Sequence, residues 1–252
     1  MARKIIPLRQ YIQYWDYAYE VIDLVSKETN LSREKITFKE IIKHFESKYK
    51  IFFVFLDKDP FPNLPSPGLV GSEYLKYRGL VTKSDVTFSQ DIISKHNDGM
   101  TIFDKINDKY VVYINQRNIK QRVIFTLLHE LAHIEVHFSK GRTDKIALAC
   151  SDDYKDNQLE LEANTIASIF YINNERIVWH LKNKDSYQDI KNQNIISDNA
   201  LFNRLVDFIH YRIFTYDEYL LDEQQKRRAA IDLVTKFKKG DLTLLKYYDV
   251  DV

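Results

Sequence analysis

Residues 125–138 read FTLLHELAHIEVHF. Three histidines stand four positions apart in this stretch, His129, His133 and His137, beside two glutamates, Glu130 and Glu135. Everything else in it is uncharged and mostly apolar, and a helix is predicted to begin near residue 118 and run through it. On a helix, His129 and His133 project from one face, one turn apart, or ~6 Å along the axis. Both imidazoles can then reach a single ion at ~2 Å. Glu130 lies one residue on, beside such an ion instead of on it, where it can take a proton from water. This is the HExxH arrangement, two zinc ligands and a general base.

His137 shares nearly the same stripe but lies about 12 Å up the axis from His129. Three groups strung along one straight helix cannot converge on one ion. The metzincin spacing would need glycine at 136 and histidine at 139, where this chain has Val136 and Ser139. His137 is therefore read as an orienting or surface residue, and Glu135, on another face, as solvated.

The third ligand is expected on a separate helix downstream. Residues 157–164 read NQLELEAN and offer Glu160 and Glu162. Glu160 shares a helical face with Asn164, whereas Glu162 points about 200° away from Glu160. A ligating histidine needs an acceptor for its second N–H, and Asn164 can supply one if Glu160 is the ligand. Small Ala163 lets this helix approach closely. Glu160 is the preferred ligand, with Glu162 the alternative, otherwise explained as part of a solvated face. Two histidines, a glutamate and an open water position form the ligand set of a catalytic zinc. Tyr171, His180, His210 and Tyr211 are candidates for stabilising an oxyanion, and spacing does not separate them.

These motifs resemble the ImmA/IrrE family of zinc-dependent metallopeptidases. The resemblance rests on YVVYIN ending at Asn115, FTLLHELAH at 125–133, ELEAN at 160–164 and ASIF at 167–170, and covers roughly residues 35–175. ISDNALFNRL, residues 196–205, is similar to a helix that often follows the family's core. Two positions depart from the family pattern. FYIN at 170–173 replaces a leucine-leucine-Met-Pro ending, and Ala132 stands where glycine is common. The resemblance implies limited cleavage of a regulatory protein, a helix-turn-helix repressor of phage or mobile-element type.

The rest of the chain is mostly helix. Ile12, Trp15, Tyr19, Ile22 and Val25 mark an amphipathic helix over residues 9–27. TFKE at 37–40 announces a second through a capping box, and IFFVFL at 51–56 reads as a buried strand. DPFPNLPSPGLVG, 59–71, holds four of the five prolines and reads as a loop, a candidate gate. Residues 100–115 read as a hairpin turning at Asn107-Asp108. Helices are expected over 157–172, 196–212 and 222–239, with Ser197 and Gly240 as end signals. The expected fold is α+β, a zincin-like core with a small, mostly antiparallel sheet packed on the HExxH helix. Its expected parts are an N-terminal helical segment (1–50), the metallopeptidase core (51–175) and a C-terminal helical region (176–252).

Composition narrows the alternatives. Of 252 residues, 44% are hydrophobic and 29% charged, ordinary for a soluble protein, and the net charge of +1 gives no global field toward nucleic acid. One cysteine, Cys150 in the apolar run KIALAC, excludes an internal disulfide framework and a multi-cysteine zinc site. The N-terminus lacks a signal-peptide core and no membrane span is expected, so the expected location is cytoplasmic. The competing reading is a metal-binding module that binds a repressor, an antitoxin partner or DNA without proteolysis. It leans on the basic runs KRR (226–228) and KFKK (236–239), which usually mean a solvated face, and the acidic YDEYLLDE just before them weakens it.

Overall fold

The computed structural model describes residues 5–56, 98–104, 106–115, 118–141, 158–216 and 222–247. The proline-rich stretch 59–71 and Cys150 lie outside the described residues. The elements in chain order are α1 (Leu8–Thr29), α2 (Phe38–Lys48), β1 (Ile51–Leu56), β2 (Gly99–Asp104) and β3 (Lys109–Asn115). They are followed by α3 (Lys120–His133), α4 (Gln158–Tyr171), α5 (Asn174–Lys182), α6 (Tyr187–Gln193), α7 (Asp198–Phe208) and α8 (Glu223–Lys238). The chain forms two compact units, one within residues 38–167 and one made of 1–37 together with 168–252.

The first unit is a small sheet backed by helices. Its strand order is β1-β3-β2, with Phe53 paired to Val112 in parallel and Thr101 paired to Val112 antiparallel. The sheet is thus mixed: only the β2–β3 hairpin is antiparallel. A parallel β1–β3 pair is possible because the long connection between those strands leaves enough chain for a crossover. The hairpin closes where expected. The Asp104 carboxylate accepts the Ile106 and Asn107 N–H groups at 3.1 and 3.2 Å, and Asp108 takes the left-handed conformation at φ 49°. Ile41, Ile42 and Phe45 of α2, Phe53 and Val54 of β1, Val112 and Ile114 of β3, and Ile124, Leu127, Leu128 and Leu131 of α3 are all buried. α3 is therefore enclosed on most sides, as its near-continuous apolar sequence requires.

α3 does not end at His133. The helix continues as a π turn over Ile134–Phe138, with Ser139 N–H donating to the Ile134 carbonyl at 2.9 Å. Glu135, expected to be solvated, is instead clamped to the end of α2. Lys48 Nζ lies 2.8 Å from its carboxylate and the Tyr49 hydroxyl donates to it, also at 2.8 Å.

In the second unit α1 buries Tyr11, Tyr14, Ala18, Tyr19, Val21, Ile22 and Val25. The expected stripe is correct from Tyr19 onward, but Ile12 points outward at 47% exposure. The helix turns its tyrosines inward because their rings find stacking partners, Tyr11 lying 3.8 Å from Tyr211 between centroids. The FYIN departure is resolved by Asn173, whose side chain accepts the Arg176 N–H at 2.8 Å and caps α5 directly. Ser197 caps α7 by accepting the Ala200 N–H at 3.2 Å, and Gly240, at φ 93°, follows the end of α8.

Candidate metal centre

Sequence spacing places His129 and His133 on one face of α3, and the fold brings the start of α4 against that face. His129 Nε2 and His133 Nε2 lie 2.9 Å apart. Glu160 reaches both, Oε2 at 3.2 Å from His129 Nε2 and Oε1 at 3.3 Å from His133 Nε2. One ligand atom from each of the three residues falls within 4.8 Å of the others. Ligand atoms held tetrahedrally at zinc's usual ~2.0–2.1 Å would be separated by about 3.3 Å. Two imidazole nitrogens and a carboxylate, facing one another at these separations, match the zinc donor set in type, number and spacing. His129 Nδ1 is buried and has no hydrogen-bond partner among the described residues.

Electrostatics agrees with that reading for His133 and Glu160. Burial holds His133 down, at about 4, so its ring is neutral near pH 7. Partial burial acts to raise Glu160, but hydrogen bonds to His129 and His133 outweigh it and hold the carboxylate well below its ordinary range. For His129, burial pulls downward, but Glu160 and Glu130 raise it overall.

Glu130 occupies the neighbouring face. It is buried, and burial pushes its carboxyl up to about 7 against the opposing pull of His129 and the Thr101 hydroxyl. Thr101 Oγ1 donates to Glu130 Oε2 at 2.7 Å, from the facing strand β2. Gly99, two residues earlier and on the same side of β2, clears the space around the other oxygen. A Cβ there would sit 3.0 Å from Glu130 Oε1 and 2.5 Å from Thr126 Cγ2.

Two sequence expectations change here. Glu162 is not on a solvated face. It is fully buried, and its Oε2 lies 3.4 Å from His137 Nε2. His137 is equally buried and its Nδ1 lies 2.8 Å from His133 Nδ1, so the second nitrogen of His133 meets His137 and not Asn164. The π turn explains both differences, because it redirects His137 toward α4. Sequence reasoning also missed Thr101 and Gly99. The one available signal was a glycine opening a strand, which marks close approach of another group. Tyr171, His180, His210 and Tyr211 are all buried and engaged structurally. The Tyr171 hydroxyl donates to the Ile195 carbonyl and that of Tyr211 to the Ile6 carbonyl, both at 2.8 Å. His180 pairs with Asp185 at 2.7 Å and His210 with Glu223 at 2.8 Å.

Comparison with known proteins agrees with this picture. No curated protein and no solved structure matches the chain at the threshold applied. Residues 86–205 match the family model described as the IrrE N-terminal-like domain, of peptidase family M78. The match takes in β2, β3, the HExxH helix, Glu160 and the ISDNALFNRL helix. This match to the IrrE N-terminal-like domain supports membership of the ImmA/IrrE family.

Proposed function

We propose that the protein is a zinc-dependent endopeptidase that makes few, specific cuts in a regulatory protein, a helix-turn-helix repressor. The observation that carries this reading is the convergence of His129, His133 and Glu160 within 4.8 Å, beside a buried glutamate. A zinc ion held by these three side chains supplies Lewis acidity toward water and a peptide carbonyl. Glu130 does the proton work. Thr101 fixes its Oε2, so Oε1 takes the proton of the attacking water and returns it to the leaving amine. Burial raises this carboxyl above the ordinary glutamate range, which favours its taking up a proton. The peptidase chemistry is supported by the family and by this geometry. The repressor substrate is carried by analogy with the family.

Of the two basic runs, KRR lends the competing binding-module reading little support. Arg227 is buried against Asp207, and Lys226 donates to the Thr215 carbonyl at 3.1 Å, so two of the three cations serve the fold.

The test is a comparison of new protein N-termini in cells producing the wild-type chain or Glu130→Gln. The proposal expects a small set of termini, inside a helix-turn-helix protein, that disappears in the variant while zinc content is unchanged. Identical termini with both proteins would exclude the endopeptidase. Glu130-dependent termini in proteins of other kinds would exclude the repressor substrate alone.

A further inference from the structure

Behind the three candidate ligands, the structure holds a second row of contacts that the proposed chemistry does not use. His133 Nδ1 faces His137 Nδ1 at 2.8 Å, and His137 Nε2 faces Glu162 Oε2 at 3.4 Å. His137 and Glu162 are both 0% exposed. A buried carboxylate and a buried imidazole there, in an otherwise apolar stretch, cost free energy unless they are hydrogen-bonded.

Only one proton can lie between the two facing Nδ1 atoms, and this couples the tautomers of the rings. With the proton on His133 Nδ1, the His133 Nε2 lone pair faces His129 and Glu160. His137 Nδ1 then accepts, and the His137 proton lies on Nε2, pointing at Glu162. With the proton reversed, His137 turns a lone pair toward the Glu162 carboxylate, and His133 turns an N–H into the ligand cluster. The charge of Glu162 favours the first arrangement.

We infer that His137 and Glu162 are positioning residues, a hydrogen-bonded relay from the second helix that fixes the tautomer and ring orientation of His133. The inference rests on the metallopeptidase reading and deepens it. It gives the two glutamates of ELE separate tasks, Glu160 toward the ion and Glu162 toward the histidine that holds it. Outer partners of this kind fix ligand orientation, and losing one typically weakens metal affinity by about ten- to a hundredfold.

The relay is read directly in the zinc-loaded, full-length chain by two-bond proton–nitrogen correlation of its histidine rings. The expected pattern is His133 protonated on Nδ1 and His137 protonated on Nε2. Any other pattern in zinc-loaded protein overturns the relay and leaves the metallopeptidase reading standing, whereas a wild-type chain that takes up no zinc overturns that reading itself. In competition with a chromophoric chelator, His137→Leu should lose about ten- to a hundredfold in zinc affinity. His137→Gln, which can accept from His133 and donate to Glu162, should hold zinc far more tightly than the leucine variant. Equal affinities for the two variants would overturn the relay. If His137→Leu does not fold, the tautomer pattern of the wild type decides alone.

Discussion

Thr101 shows how little of this site is carried by ligands alone. Its hydroxyl donates to Glu130 Oε2, and a hydrogen bond to a charged group is worth about 1.5–3 kcal/mol. Thr101→Val keeps the shape and removes the donor, so kcat should fall about ten- to a hundredfold. KM should barely move, because this hydroxyl is buried against Glu130. A change confined to KM in steady-state kinetics would contradict this role. Gly99→Ala acts by volume. Its Cβ would lie 2.5 Å from Thr126 Cγ2, with the Tyr113 carbonyl at 3.2 Å on the other side. Overpacking of this kind costs about 1–3 kcal/mol, measurable as a lower urea midpoint. At this scale the sequence was most legible where chemistry imposes spacing. His129, Glu130 and His133 are marked by one turn of helix, whereas Glu160 was preferred for an Asn164 contact whose place at His133 is taken by His137. Thr101 and Glu162 carry no such mark, because their roles depend on which elements face each other.

Among the elements, the helices with caps and the hairpin with its Asn-Asp turn could be read in advance, since the signals are local. Ser197, Gly240 and Asp108 sit at the predicted ends and turn. The π turn at Ile134–Phe138 had no such signal, because no proline or glycine announces it. His137 lies in that turn and is buried, so of its two readings, orienting or surface, the surface one fails. The α1 face was misread for a different reason: Tyr11 is buried by stacking on Tyr211, a partner from distant sequence. The junction after α4 gives a sharp test. Asn173 caps α5 and its Nδ2 donates to the Arg33 carbonyl at 2.8 Å. Asn173→Ala should therefore destabilise the chain by about 1–2 kcal/mol in urea unfolding. An unchanged midpoint would show that the cap is dispensable.

For the whole molecule, what was legible was composition and class: an α+β chain with a small sheet, in which no helix of the described residues is long and apolar enough to cross a membrane. The basic run of α8 was legible as ordinary surface only in part. Arg227 is buried against Asp207, so Arg227→Ala breaks a buried ion pair and should cost about 3–5 kcal/mol. Exposed Arg228→Ala should leave the unfolding midpoint unchanged. Stability should also depend on pH. Burial holds His180 and His210 below the ordinary histidine value, and His133 acts in the same sense without metal. These three rings bind more protons in the unfolded chain than in the folded one, and they outnumber Glu130 and His129, which folding shifts the other way. The stability contributed by these neutral rings is complete above about pH 6.5 and is lost as the pH falls below it. The urea midpoint of the metal-free chain should be lower at pH 5.5 than at pH 7.5, and a flat or rising midpoint on acidification would contradict this.

The most direct test of the central claim is zinc content per chain after dialysis against a buffered, low concentration of free zinc. The wild-type chain should retain one zinc, and Glu130→Gln should retain it as well. His129→Ala, His133→Ala and Glu160→Gln should each release it. A wild-type chain that emerges without zinc, or a Glu160→Gln chain that keeps it as tightly as wild type, would contradict the site described above.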